Sequence, residues 1–240
     1  MSEFLWVEKY RPKRIEHCIL PPELKSTFES FVKAGEIPNL LLCGTAGIGK
    51  TTVAKALCEE LQVDSIVING SDEGRFLDTV RNSAKQFAST VSLTSSSKHK
   101  VIIIDEADNT THDVQLLLRA SIEEFQNNCR FIFTCNFKNK IIEPLHSRTT
   151  VIDCNTRGKQ KQQIATQFFE RCRGILTAEN IEFTDAVVAE VVQKFFPDFR
   201  RTLNELQRYA ASGVIDTGIL AQISQVRLEK LVGALKKKTS

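Results

Sequence analysis

A chain of 240 residues exceeds the ~100–200 of one typical domain, so a large domain, alone or with a smaller one, is expected. Its 42% hydrophobic and 25% charged residues are ordinary for a soluble globular protein, and no run approaches the ~18 apolar residues of a membrane span; with charged Glu3, Glu8 and Lys9 in place of an apolar core no secretory signal is visible, so a place in the cytosolic compartment of its host cell is expected. A net charge of +3 is too small to argue for nucleic-acid binding without a local basic surface, and seven cysteines and four histidines are too dispersed for a metal centre.

In chain order, Phe4 to Pro12 mixes aromatic and charged residues and ends at a proline, which predicts an extended arm packed on the domain. Pro21-Pro22 starts a helix over Glu23 to Ala34 with Leu24, Phe28, Phe31 and Val32 on one face, and Gly35 closes it. The apolar run Leu40-Leu41-Leu42-Cys43 is a short buried strand, and Thr52 to Leu61 is an amphipathic helix. Between them lies Gly44-Thr45-Ala46-Gly47-Ile48-Gly49-Lys50-Thr51, a P-loop in the strand-to-helix context that such a loop requires. Its glycines let backbone N–H groups turn onto phosphate oxygens at a helix N-terminus, Lys50 reaches the β- and γ-phosphates, and the Thr51 hydroxyl is a ligand for Mg²⁺.

Ser65 to Asn69 reads as a strand, Thr79 to Thr90 as a helix with Val80, Ala84, Phe87 and Ala88 inward, and the serine-rich Val91 to Lys100 as a loop. Val101 to Ile104 is continuously apolar and β-branched, as a parallel strand buried on both faces requires. It runs into Asp105-Glu106. Taken alone this pair is an acidic turn; downstream of a P-loop, Asp105 holds Mg²⁺ through water and Glu106 orients and deprotonates the attacking water. A helix over Asp113 to Phe125, a strand over Arg130 to Asn136, and the segments Ile141 to Leu145 and Thr150 to Ile152 complete a doubly wound α/β pattern. Beyond Asn155 strands are expected to stop. Lys159 to Arg173, Asp185 to Phe195, Phe199 to Ala210 and Ile219 to Leu235 read as helices, giving domains at residues 1–155 and 156–240; Lys236 to Lys238 is a solvated helix end or a phosphate contact. The cysteines Cys18, Cys43, Cys58, Cys129, Cys135, Cys154 and Cys172 read as reduced thiols that pack as small hydrophobes, and His17, His99, His112 and His146 as surface or loop residues.

Together these pieces resemble the AAA+ ATPases, a P-loop parallel sheet with flanking helices followed by a small all-helical lid. Within them the chain is similar to clamp-loader subunits: replication factor C small subunits and, more closely, the ATPase subunit of bacteriophage clamp loaders. Five motifs in the family's order carry the resemblance: Glu8 to Pro12, Asn69-Gly70-Ser71-Asp72-Glu73, Asp105-Glu106-Ala107-Asp108, Ser147-Arg148, and Pro197 to Asn204. Ala46 and Thr149 stand where many relatives have Pro and Cys, and neither of those side chains performs the chemistry.

The resemblance implies roles that spacing alone does not show. ATP is bound by Gly44 to Thr52 and Asp105, with Tyr10, Arg11 and Ile19 in contact with the nucleotide from the N-terminal side. Asn136 is a first sensor and Arg200, brought from the lid, a second sensor of the γ-phosphate, a surface arginine being its other reading. Arg148 is an arginine finger for the ATP of a neighbouring subunit. Gln115, Arg119 and Glu123 couple the site to neighbouring subunits or DNA, or form a solvated helix face. Arg75, Arg81 and Lys85 track duplex phosphates, or form an ordinary charged surface. The implied partners are the other subunits of a pentameric loader, a sliding clamp and primer–template DNA, with no membrane. A helical collar domain follows the lid in related loaders, and with the chain stopping at Ser240 it is expected to be absent. The implied function is the ATP-driven opening of a sliding clamp and its placement on primed DNA, with DNA-stimulated hydrolysis at subunit interfaces. On the residues alone a different AAA+ motor (a helicase loader, a branch-migration ATPase or a protein remodeller) and a non-catalytic nucleotide-gated scaffold stay open.

Overall fold

The apolar runs of the sequence become the middle of a parallel sheet in the computed structural model, which describes residues 4–71, 85–89, 99–158, 160–211 and 213–216. The chain divides into two units, residues 11–160 and residues 1–10 with 161–240.

In the larger unit five parallel strands follow the order β2-β3-β4-β1-β5: β1 (Leu40–Cys43), β2 (Ser65–Asn69), β3 (Lys100–Asp105), β4 (Cys129–Cys135) and β5 (Thr150–Asp153). The central β1, β3 and β4 are buried almost without interruption, whereas the edge strands β2 and β5 mix exposed and buried positions. Continuous β-branched and apolar runs therefore mark sheet interior, and mixed ones mark edges. Side-chain alternation assigns one core to each face. Leu41, Ile102, Ile104, Phe131 and Phe133 pack with Val114, Leu118 and Ile122 of α5 (His112–Glu124). Leu40, Leu42, Val101, Ile103 and Ile132 pack with Val53, Ala54 and Leu57 of α3 (Lys50–Glu60) and Phe28 of α2 (Pro22–Ala34). The register places Cys43 beside both Cys135 and Asp153, and Asn69 beside Asp105, so the C-terminal ends of the strands share one edge. In an open parallel sheet this edge holds ligands.

Helix ends follow their chemistry. Helix α2 has proline in its first turn and stops at left-handed Gly35, and the Thr111 hydroxyl caps α5 by accepting the Val114 N–H. Of the helix expected over Thr79 to Thr90, α4 (Lys85–Ser89) lies within the described residues, with Ala88 buried. Val80, Ala84 and most of the serine-rich loop fall outside them. Pro144 lies in the first turn of α6 (Glu143–His146), so helix occupies most of Ile141 to Leu145.

The smaller unit differs from expectation in three places. The N-terminal segment, expected to be extended, begins with a short helix, α1 (Trp6–Lys9), whose Trp6 side chain is buried and whose Trp6 N–H donates to Gln207 Oε1 at 3.0 Å. After Asn155 strands do not stop: β6 (Glu182–Phe183) pairs in parallel with β7 (Val214–Ile215), and Ile215 is fully buried. Two-residue strands carry no periodicity by which a sequence could announce them. Helix α7 (Gln160–Ala178) runs beyond the predicted Arg173 because Ile175 and Leu176 continue its buried stripe past Gly174. Helices α8 (Asp185–Phe195) and α9 (Phe199–Ala210) lie where predicted, while Ile219 to Leu235 and Lys236 to Lys238 lie outside the described residues.

All seven cysteines are buried and reduced. Burial pushes the thiols of Cys58, Cys154 and Cys172 up to about 12. His99 lies in the loop before β3, as expected, but is buried there and accepts the Ile37 N–H on Nε2 at 3.3 Å. Among the described residues no helix is long and apolar enough to cross a membrane, and no cluster of three metal-binding side chains occurs.

Candidate nucleotide site

The strand ends of the larger unit bring the P-loop and the acidic pair together. Gly49 precedes α3 with φ of 93°, a left-handed conformation that side chains disfavour, and this bend starts the helix at Lys50. Lys50 is buried and its Nζ donates to Gly44 O at 2.7 Å, Thr45 O at 2.8 Å and Asn136 Oδ1 at 2.9 Å. Burial pulls the pKa of this ammonium below the usual lysine range. The Thr51 hydroxyl donates to Asp105 Oδ1 at 2.7 Å. A hydroxyl and a carboxylate oxygen at this separation are hard oxygen donors of the kind Mg²⁺ takes, so the residues present fit that ion.

Glu106 follows Asp105 in the left-handed region, at φ of 55°. Its carboxylate accepts from the hydroxyl of Ser71 and from Asn109 Nδ2, the latter at 3.2 Å. Close by, a Cβ on Gly70 would meet Glu106 O at 2.6 Å and the Thr110 methyl at 2.9 Å, so the loop after β2 can pass the acidic turn only with glycine there. From β4, the Thr134 hydroxyl donates to Asp105 Oδ1 at 2.5 Å and accepts the Glu106 N–H at 3.0 Å. Asp108 accepts the N–H groups of Asn136 and Phe137 at 3.2 and 3.1 Å, which ties the first-sensor position to the turn after β3. The P-loop is also held by the segment just after β5, the neighbour of β1, where Asn155 Oδ1 accepts the Thr45 N–H at 3.0 Å.

Hydrogen bonds thus join Lys50 to Asn136, and Thr51 to Asp105 and, through Thr134, to Glu106. Thr52 lies one residue on in α3, where its hydroxyl accepts from Arg11 Nη1 at 3.1 Å; Ile19 is half-buried in the same unit. Arg148 bonds elsewhere: its Nε and Nη2 donate to Glu123 Oε1 at 2.9 and 2.6 Å, and its Nη1 to Pro144 O at 3.0 Å. These bonds hold the Glu123 carboxyl below the usual range. Arg119 lies 3.7 Å from the same oxygen. Gln115 is buried; its Nε2 donates to Lys140 O at 3.0 Å and its Oε1 accepts the Ile142 N–H at 2.8 Å, which stitches α5 to the segment between β4 and α6.

In the smaller unit the Tyr10 hydroxyl and Lys9 Nζ both donate to Glu179 Oε1 at 2.6 Å, and Arg200 is exposed on the first turn of α9. Arg75 and Arg81 lie outside the described residues, as does the side chain of Lys85. No motif pointed to Thr134, Asn109 or Asn155. The one available signal was a polar residue inside the apolar run Phe131 to Cys135.

The fold and this site define an AAA+ ATPase. Residues 40–155 match the family described as ATPase family associated with various cellular activities, and residues 160–221 match the AAA+ ATPase lid domain of the sliding-clamp-loader large subunit. The chain is 41% identical to the sliding-clamp-loader large subunit of Escherichia phage RB69, over 99% of this chain and 75% of the relative, and 40% identical to that of Enterobacteria phage T4 over the same shares. The replication factor C small subunit of Methanoculleus marisnigri is 38% identical over 85% of this chain and 62% of its own. Among solved structures, the Thermotoga maritima RuvB Holliday junction branch migration motor superposes with a TM-score of 0.69 at 22% identity, over 90% of this chain and 72% of that one, a likeness of fold alone. The chain belongs to the sliding-clamp-loader large-subunit family and is an ATP-hydrolysing enzyme.

Proposed function

We propose that this protein is the ATPase subunit of a cytosolic clamp loader. With other subunits, in a ring of about five, it opens a sliding clamp and places it on primer–template DNA. Lys50 and the P-loop amides bind the phosphates, and Thr51 and Asp105 would hold Mg²⁺, which when bound neutralises phosphate charge. Glu106 orients water and takes its proton. Asn136, already within hydrogen-bond distance of Lys50, reports the γ-phosphate together with Arg200. Arg148 completes the site of a neighbouring subunit, and hydrolysis stimulated by DNA releases the clamp. The observation that carries this reading is the convergence of Lys50, Thr51, Asp105 and Glu106 at one sheet edge in a chain of this family.

The test is Glu106→Gln in the loader assembled with its partners, clamp and primed DNA. Nucleotide binding should stay within about 3-fold of wild type while turnover falls by about 10²–10⁴-fold, the contribution of a positioned general base. Wild-type turnover in that variant would remove Glu106 from the mechanism and with it this reading.

A further inference from the structure

We infer that Thr134 is a positioning residue that sets both carboxylates of the ATP site through one hydroxyl. The inference rests on the ATPase reading above and adds to it a residue that no motif names. Thr134 is 1% exposed, between Phe133 and Cys135 in a strand that is otherwise apolar there. A hydroxyl in such a place is costly unless its bonds are made. Both bonds recorded for it go to the acidic pair. Its proton is given to Asp105 Oδ1 and a lone pair takes the Glu106 N–H, at 2.5 and 3.0 Å.

Each bond has a separate consequence. Asp105 Oδ1 has two hydroxyl donors, Thr51 from the P-loop helix and Thr134 from the sheet. The Thr134 contact comes from the packed interior and does not involve the P-loop, so it holds the carboxylate's orientation independently of Thr51. The second bond fixes the backbone of Glu106 in the left-handed region, which a residue with a side chain occupies only where its surroundings hold it. That backbone conformation aims the carboxylate that Ser71 and Asn109 meet. Because the hydroxyl has a single proton, giving it to Asp105 leaves it an acceptor toward Glu106, and the two bonds reinforce each other.

Thr134→Val keeps the shape and removes the hydroxyl; Thr134→Ser keeps the hydroxyl. In the assembled loader, Thr134→Val should lower turnover at saturating ATP by about 10–100-fold, the usual cost of removing a group that orients metal ligands. Titration of a fluorescent ATP analogue onto the purified chain should show half-saturating Mg²⁺ rising by a similar factor, with binding in EDTA unchanged. Thr134→Ser should restore both to within about 3-fold of wild type. Wild-type turnover and Mg²⁺ dependence in Thr134→Val would overturn the inference; so would a serine variant as impaired as valine, since packing would then be the cause, or loss of binding in EDTA. Glu106→Gln measured alongside separates the two claims. If it still turns over, the assignment of Glu106 as the base fails; if it is inactive while Thr134→Val is wild type, only the role of Thr134 fails.

Discussion

Lys50 shows what a single side chain brings to the site before nucleotide arrives. Its ammonium rests on two P-loop carbonyls and on Asn136, and burial makes the charged form less favourable there than in water. A triphosphate favours the charge again. Below the depressed pKa of the free protein Lys50 is protonated both with and without nucleotide, and affinity does not depend on this group. Above it, binding must take up a proton, so ATP affinity should fall as pH rises through the alkaline range, beginning below the ordinary lysine value of about 10.4. Calorimetry in two buffers of different ionisation heat should detect proton uptake at alkaline pH in the wild type and none in Lys50→Met; equal heats in both buffers for the wild type would show that Lys50 does not change protonation. Lys50 was legible because its motif lies between a strand and a helix. Thr134 was not, since an isolated threonine in an apolar run reads equally well as a strand former, and only the register of β4 beside β3 brings it to Asp105 and Glu106.

Elements were legible in proportion to their length and burial. The strands β1, β3 and β4 stand out as unbroken apolar runs, and α2, α5, α8 and α9 by helical spacing, because each buries a whole stripe or both faces. Helix α1 was missed because its four residues carry no periodicity and the proline beyond them suggested an extended chain. The β6–β7 pair was missed because a two-residue strand is defined by its partner, not by itself. Gln115 shows how far contact can depart from pattern: on a helix whose spacing suggests a solvated polar face, it is buried and bonded to the backbone on either side of Ile141. Gln115→Ala leaves the Ile142 N–H without its partner and opens a void, so the larger unit should lose about 1–3 kcal/mol of stability in urea unfolding. Because the same bonds seat the segment that leads to α6 and Arg148, turnover of the assembled loader should fall as well. An unchanged unfolding midpoint would mean that water replaces the amide at no cost.

For the molecule as a whole, the position of Arg148 decides whether one chain can hydrolyse ATP well. Its guanidinium is engaged by Glu123 and Pro144 and bonds to none of Lys50, Asp105 and Glu106, which is the arrangement expected of a group that serves another subunit. A trans-acting arginine contributes about 10³–10⁵-fold to phosphoryl transfer, so Arg148→Ala and Glu106→Gln should each leave an assembly of identical chains nearly inactive, the first for want of the finger and the second for want of the base. On the trans reading the two lesions lie on opposite sides of an interface. In a mixed assembly, an Arg148→Ala chain with an intact Glu106 can receive Arg148 from a Glu106→Gln neighbour, and random equimolar mixing makes such a pairing at about a quarter of interfaces. Turnover should therefore reappear at roughly a quarter of the wild-type level on mixing. A guanidinium acting within its own chain gives no such recovery, because no chain in the mixture then carries both groups, and a mixture as inactive as its components would assign Arg148 to the site of its own subunit.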